Sequence, residues 1–219
     1  MIALPTDAEL VDAAAAAYDP AAVPFIADLG SALRIFRTQR ADGLVIYAIE
    51  GTHDPLGWAF DFFALRIKDH AGINHPSLGF IHAGFYTMAS VVLDRVIADL
   101  TRSGAPYAIC GHSLGAALAL LLGAMLIVRG MPPVKVGAFA PPRVGGQKFV
   151  ATATSVPCCA DRYGVDPVPT VPLDFPLLFP YGQVPLRELE APPLPRDASL
   201  AQLFAQHHIG NYVSGVYAI

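Results

Sequence analysis

Apolar positions along the chain keep two periods in alternation. Residues 33–39 (LRIFRTQ) and 44–50 (LVIYAIE) are short aliphatic and aromatic runs on either side of Ala41-Asp42-Gly43, a pattern that predicts a β-hairpin. Beyond His82 the apolar residues Met88, Val91, Val92, Val96 and Leu100 return at helical spacing. A brief strand pattern at 107–110 (YAIC) follows, then Leu114 to Val128, apolar on every side, then strand patterns at 134–140 (VKVGAFA) and 158–165 (CCADRYGV). A helix apolar all round is a buried one. It also falls short of the roughly 20 residues that a membrane crossing needs. Near the start, Thr6 and Glu9 form a capping-box signature that predicts a helix running through Tyr18. Strands alternating with helices predict an α/β fold with a largely parallel sheet.

Composition narrows the function. The chain has 219 residues, enough for one domain with a sizeable core, and 54% of them are hydrophobic against 15% charged. Some of that surplus of apolar surface would face a ligand. A net charge of -4 without a Lys/Arg cluster argues against nucleic acid and anionic membrane surfaces as partners. The first residues meet Asp7 and Glu9 before any apolar run and have no basic segment, unlike a signal peptide. Cys110, Cys158 and Cys159 are too few and wrongly spaced for a disulfide framework or a zinc site. The expected location is therefore cytoplasmic, or secreted if a leader has been removed. No cofactor and no metal are expected. Half of the twenty prolines fall between Pro157 and Pro195, which predicts a stiff, loop-rich stretch.

One hydroxyl interrupts the most apolar region. Gly111-His112-Ser113-Leu114-Gly115 is a G-x-S-x-G motif between a strand and a helix, the setting in which a serine is exposed on a sharp turn. Ser113 would then sit at a helix N-terminus, where free N–H groups and the helix dipole favour developing negative charge, and the Leu114 N–H would be an oxyanion donor. A serine needs a base, and the base an orienting acid, which in this architecture follow in the order Ser, Asp or Glu, His. Asp166 stands just past the predicted strand in GVDPVPTVP, and the histidines downstream of it are His207 and His208. Asp174 is a rival acid only if the Asp166 loop is misread.

Taken together, "CGHSLGAALA", "FAPPRVGG", "GVDPVPTVP" and "HHIGNYV", with "EGTHDPLGWAFDF" and "IHAGFY" upstream, resemble the class 3 (fungal-type) lipases of the α/β-hydrolase superfamily, in family order over about residues 44–215. The resemblance implies a central, mostly parallel sheet flanked by helices with a short lid helix, in one domain over 1–219. It implies a serine hydrolase acting on carboxylic esters of acylglycerol type, a lipase or esterase, through an acyl-enzyme. Ser113 would be the nucleophile and Asp166 the orienting acid. His207 fits the register of the family's base, having Ile209 and Tyr212 behind it, and His208 is the fallback.

Thr52, after Gly51 at the end of a strand, would supply the second oxyanion N–H. Glu50 departs from the arginine usual before that glycine, which puts the local ion pair in question but not the backbone geometry. By the resemblance the stretch 53–63 corresponds to the lid, with Leu56, Trp58, Phe60, Phe62 and Phe63 as its apolar surface; a fixed, buried amphipathic helix is the competing reading. Phe175, in VPLDFPLLFPYG, would line the acyl pocket, the competing reading being that this stretch packs under the sheet. The partner is a lipid or ester substrate, including one at a lipid–water interface, with no integral membrane segment; oligomeric state is not legible. Phospholipases, phenolic-acid esterases and acyltransferases share this machinery, and a non-catalytic binding protein on the fold stands further off. His82 reads as structural, and His112 as the variable elbow residue.

Overall fold

Two faces of one sheet organise the hydrophobic pattern. The computed structural model describes residues 2–28, 33–53, 72–174 and 180–219. Among them, strands β1 (Ile26–Asp28), β2 (Leu33–Gln39), β3 (Val45–Ile49), β6 (Tyr107–His112), β7 (Lys135–Phe139), β8 (Cys158–Tyr163) and β9 (Arg187–Leu189) form a sheet in the order β1-β2-β3-β6-β7-β8-β9. β1, β2 and β3 pair antiparallel, and from β3 to β9 every pairing is parallel. A separate hairpin joins β4 (Gly72–His75) to β5 (Gly79–His82).

The central strands are buried on both sides. Along β3, Val45, Tyr47 and Ile49 enter one core while Ile46 and Ala48 enter the other, as the two-residue period of a strand requires. The first core is covered by α2 (Ala83–Ser103), α3 (Leu114–Val128) and α4 (Gln147–Ala153). α3 spans the residues expected from its apolar run, and Leu114 through Leu126 are all buried. The second core lies under α1 (Asp7–Ala16) and α6 (Ile209–Tyr217), beyond the short α5 (Leu200–Ala205).

α1 opens on the expected Thr6/Glu9 capping box but ends at Ala16, short of Tyr18. Asp19 precedes Pro20, and a residue before proline disfavours helical geometry, so the chain turns and Tyr18 is released toward the sheet. A part-buried charge network fastens this layer: Arg187 pairs with the buried Asp161 and with Asp7, and Lys135 with Asp7. The fold is that of the α/β hydrolases, and it brings the C-terminal ends of β3, β6 and β8 to one edge.

Candidate active site

The serine turn is built by close backbone approach. Ser113 lies between β6 and α3 with φ 59° and ψ -125°, a conformation costly for any residue but glycine. Its N–H donates to the Phe139 carbonyl at 2.9 Å, and its own carbonyl accepts from Ala116 and Ala117 at 3.0 and 3.1 Å. The flanking glycines permit this. A Cβ on Gly111 would lie 2.4 Å from the Gly115 carbonyl carbon, and one on Gly115 would lie 2.2 Å from the Ile49 oxygen. Leu114 begins α3, so its N–H has no partner within the helix and sits at the positive end of the dipole.

Three buried side chains converge here. The Ser113 hydroxyl donates to His207 Nε2 at 2.8 Å, and His207 Nδ1–H donates to Asp166 Oδ2 at 2.7 Å. Both bonds are satisfied at once by the tautomer carrying its proton on Nδ1. Asp166 Oδ2 also accepts from the Tyr212 hydroxyl at 2.5 Å, and Oδ1 accepts from the Val168 N–H at 2.9 Å. Burial and the charge of Asp166 raise the Tyr212 phenol well above its ordinary value, so it remains a donor. Gln206 locks the two loops together, its Oε1 accepting from the Val165 N–H at 2.6 Å. His208 points elsewhere: it is exposed, caps α6 and accepts from the Gly210 N–H at 3.1 Å. Neighbouring residues at a helix start face different ways, and the cap occupies one of the two histidines.

His112 is more engaged than its place in the motif suggests. It is buried, with Nε2 2.8 Å from the His207 carbonyl oxygen and Nδ1 2.9 Å from the Tyr18 hydroxyl. Thr52 follows the end of β3 and lines a cavity of about 220 Å³ with Tyr18, His53, His112, His207 and His208. Glu50, in the place of the family's arginine, is buried and pairs with Arg34 of β2 at 3.1 Å and with His53 at 2.8 Å. The strand end is thus tied to β2 by an ion pair in which Glu50 is the acid and Arg34 the cation. His82 caps α2, accepting from the Phe85 N–H at 3.4 Å.

Trp58, Phe62 and Phe63 of the expected lid and Phe175 of the expected acyl pocket lie outside the described residues. Burial pushes the Cys110 thiol far above its ordinary value and that of Cys158 up to about 12, so neither is poised as a nucleophile. Among the described residues no group of three or more His, Cys, Asp or Glu side chains could hold a metal ion, and no helix is long and apolar enough to cross a membrane. Sequence reading missed Tyr18, His112, Gln206 and the hydroxyl of Tyr212. Only Tyr212 left a signal, standing in the block that carries the histidines.

Comparison with known proteins gives a consistent relationship. The sequence profile described as "Lipase (class 3)" matches residues 46–175. The secreted mono- and diacylglycerol lipase A of Penicillium cyclopium is 30% identical over 138 residues, 59% of this chain and 43% of that protein. The secreted mono- and diacylglycerol lipase 1 of Fusarium solani is 26% identical over 178 residues, 80% of this chain and 52% of its own. The chain thus spans about half the length of the curated relatives it matches. The crystal structure of the mono- and diacylglycerol lipase from Aspergillus oryzae superposes with a TM-score of 0.64 at 23% identity, covering 86% of this chain and 82% of that one.

Proposed function

The chain belongs to the class 3 lipase family, and from that premise we propose that it is a serine hydrolase of carboxylic esters of acylglycerol type, working as one domain over 1–219. The observation that carries the proposal is the unbroken chain of hydrogen bonds from Ser113 through His207 to Asp166, at 2.8 and 2.7 Å. Ser113 attacks the ester carbonyl while His207 Nε2 takes its proton; the carbonyl π bond opens to a tetrahedral oxyanion. Asp166 holds the imidazole in the required tautomer and stabilises the imidazolium. The N–H groups of Leu114 and Thr52 receive the oxyanion. As the oxyanion collapses, the ester C–O bond breaks and His207 returns the proton to the departing alcohol, leaving an acyl-enzyme. Water, deprotonated by the same imidazole, then releases the acid and restores the serine.

Tyr212 and the Val168 N–H keep the carboxylate from turning away from the imidazole. Trp58, Phe62, Phe63 and Phe175 are assigned to substrate contact on the family resemblance. The substrate is a lipid ester, taken from solution or from a lipid–water interface. The relatives are named as secreted, which supports secretion and lends nothing to the cytoplasmic alternative.

The test is hydrolysis of p-nitrophenyl esters from short to long acyl chains by the wild type and by Ser113→Ala, His207→Ala and His208→Ala. Ser113→Ala and His207→Ala are expected to lose at least about 10³-fold in kcat, and His208→Ala to stay within about threefold. Full activity in folded Ser113→Ala would refute the mechanism. The chain-length optimum separates esterase from lipase.

A further inference from the structure

We propose that Tyr18 and His112 are positioning residues that hold the two halves of the site in register, the turn carrying Thr52 and the loop carrying His207. The inference rests on the triad reading above. His112 ends β6, so its main chain leads directly into Ser113, while its side chain reaches the main-chain carbonyl of His207 at 2.8 Å. One residue thus anchors the backbone of the nucleophile and the backbone of the base.

The protonation state of this contact is determined. A carbonyl can only accept, so Nε2 carries the proton, and Nδ1 accepts from the Tyr18 hydroxyl at 2.9 Å. Burial, followed by the neighbouring His207, holds the His112 imidazolium well below its ordinary range, so the ring stays neutral. Burial and the charge of Glu50 raise the Tyr18 phenol, against a backbone hydrogen bond from Gly51, so it stays a donor. The pair therefore keeps one hydrogen-bond pattern across the range in which an esterase works.

Tyr18 also sets the other half. Its hydroxyl is packed on Gly51, where a Cβ would come within 2.1 Å of that oxygen and 2.6 Å of the His112 carbonyl. The residue before Thr52 is thus gripped between Tyr18 and His112. Packing alone would call for an aromatic hydrocarbon here, because burying an imidazole is unfavourable unless both nitrogens are satisfied. Both are, and the second partner, the Tyr18 hydroxyl, comes from the turn after α1, outside the serine, acid and base loops. Neither side chain is needed at the reacting atoms for this role, so its loss should act through geometry.

Tyr18→Phe removes one oxygen and decides the matter. Three readouts are compared with wild type: kcat and KM on p-nitrophenyl butyrate, the rate of labelling by a fluorophosphonate, and the low-field NMR proton of the His207–Asp166 hydrogen bond. The expected result is a fall in kcat of about tenfold, in the range for residues that orient a reacting group from behind. KM should change by less than about twofold, labelling should slow by the same factor as kcat, and the low-field proton should shift. His112→Gln, whose amide can still reach the carbonyl, should retain more activity than His112→Leu. Wild-type kcat with an unmoved low-field proton in Tyr18→Phe overturns the proposal and leaves the triad standing, as does a loss confined to melting temperature. Failure of the wild type to label overturns the proposal and the hydrolase reading together.

Discussion

Adding a single methyl group at Gly115 should separate the two proposed oxyanion donors. A Cβ there would lie 2.2 Å from the Ile49 oxygen, 2.9 Å from the Ile49 carbonyl carbon and 3.0 Å from the Glu50 carbonyl carbon, all backbone atoms of the strand that leads to Thr52. Ordinary contact begins near 3.4 Å, so the start of α3 must retreat from β3 by about 1 Å. The helix is buried from Leu114 to Leu126 and has no free side to retreat into, so the strain should be absorbed at the turn around Ser113. Overpacking of this kind costs about 1–3 kcal/mol. For a chain of this size that lowers the melting temperature by roughly 2–4 °C per kcal/mol.

A displacement of about 1 Å between groups that must act together costs on the order of 10² in rate. Gly123→Ala is the control on the same helix. Its Cβ would meet only side chains, the nearest being Val136 Cγ2 at 3.3 Å, and alanine gains about 1 kcal/mol of helix propensity over glycine. Thermal unfolding and p-nitrophenyl butyrate hydrolysis, measured on both variants, provide the comparison. Gly115→Ala should lose far more activity than stability, and Gly123→Ala should resemble wild type. If the two variants melt and turn over alike, the close approach of α3 to β3 does not set the oxyanion geometry.

Tyr212→Phe removes one of three donors to Asp166 and leaves the Tyr163 N–H without the acceptor it has at 3.1 Å; kcat should fall about tenfold with KM nearly constant, measured by steady-state kinetics. Asp99 should govern acid stability: burial alone would raise its carboxyl, but Tyr47, Arg102 and Arg37 hold it at about 2. Its folded value lies below the unfolded one, so the stabilisation is complete above about pH 4 and is lost as pH falls toward 2; Asp99→Asn should flatten urea midpoints measured across that window. Arg187→Met should cost about 1–3 kcal/mol at pH 7 by leaving the buried Asp161 without its nearest cation, a penalty that denaturant melts should show shrinking as pH falls and the carboxyl, raised by burial, protonates.

Legibility from sequence followed the length of each pattern. α3 was readable to its ends because a long, wholly apolar run has one placement, and the β2–β3 hairpin because its turn residues stand between two regular runs. β1 and β9, each three residues, and the β4–β5 hairpin carry too few positions to show a period. The serine turn was legible because tight backbone packing demands glycine at fixed offsets. The partners of His112 were not, since Tyr18 and His207 reach it from distant points of the chain and only tertiary packing sets those distances. The register of the family's histidine favours His207 over His208, and it is His207 whose Nε2 lies 2.8 Å from the Ser113 hydroxyl, while His208 caps α6. The partner of Glu50, Arg34, could be named only once the pairing of β2 with β3 was known.

The layer formed by α1 and α6 has a consequence in time. Tyr217 bonds to Asp12 across 205 positions of sequence, and Arg187 to Asp7 across 180. At roughly 5–20 residues per second of synthesis, tens of seconds separate the first of these helices from the last. The layer of α2, α3 and α4 can close on its side of the sheet well before that, so the serine turn is assembled while α1 still presents Leu10, Val11 and Ala14 without their final cover. His207 and Tyr212 are synthesised about a hundred residues after Ser113. On the proposed mechanism, the nascent polypeptide therefore carries Ser113 before it carries the base, and the Ser113–His207 contact forms together with the burial of the first helix.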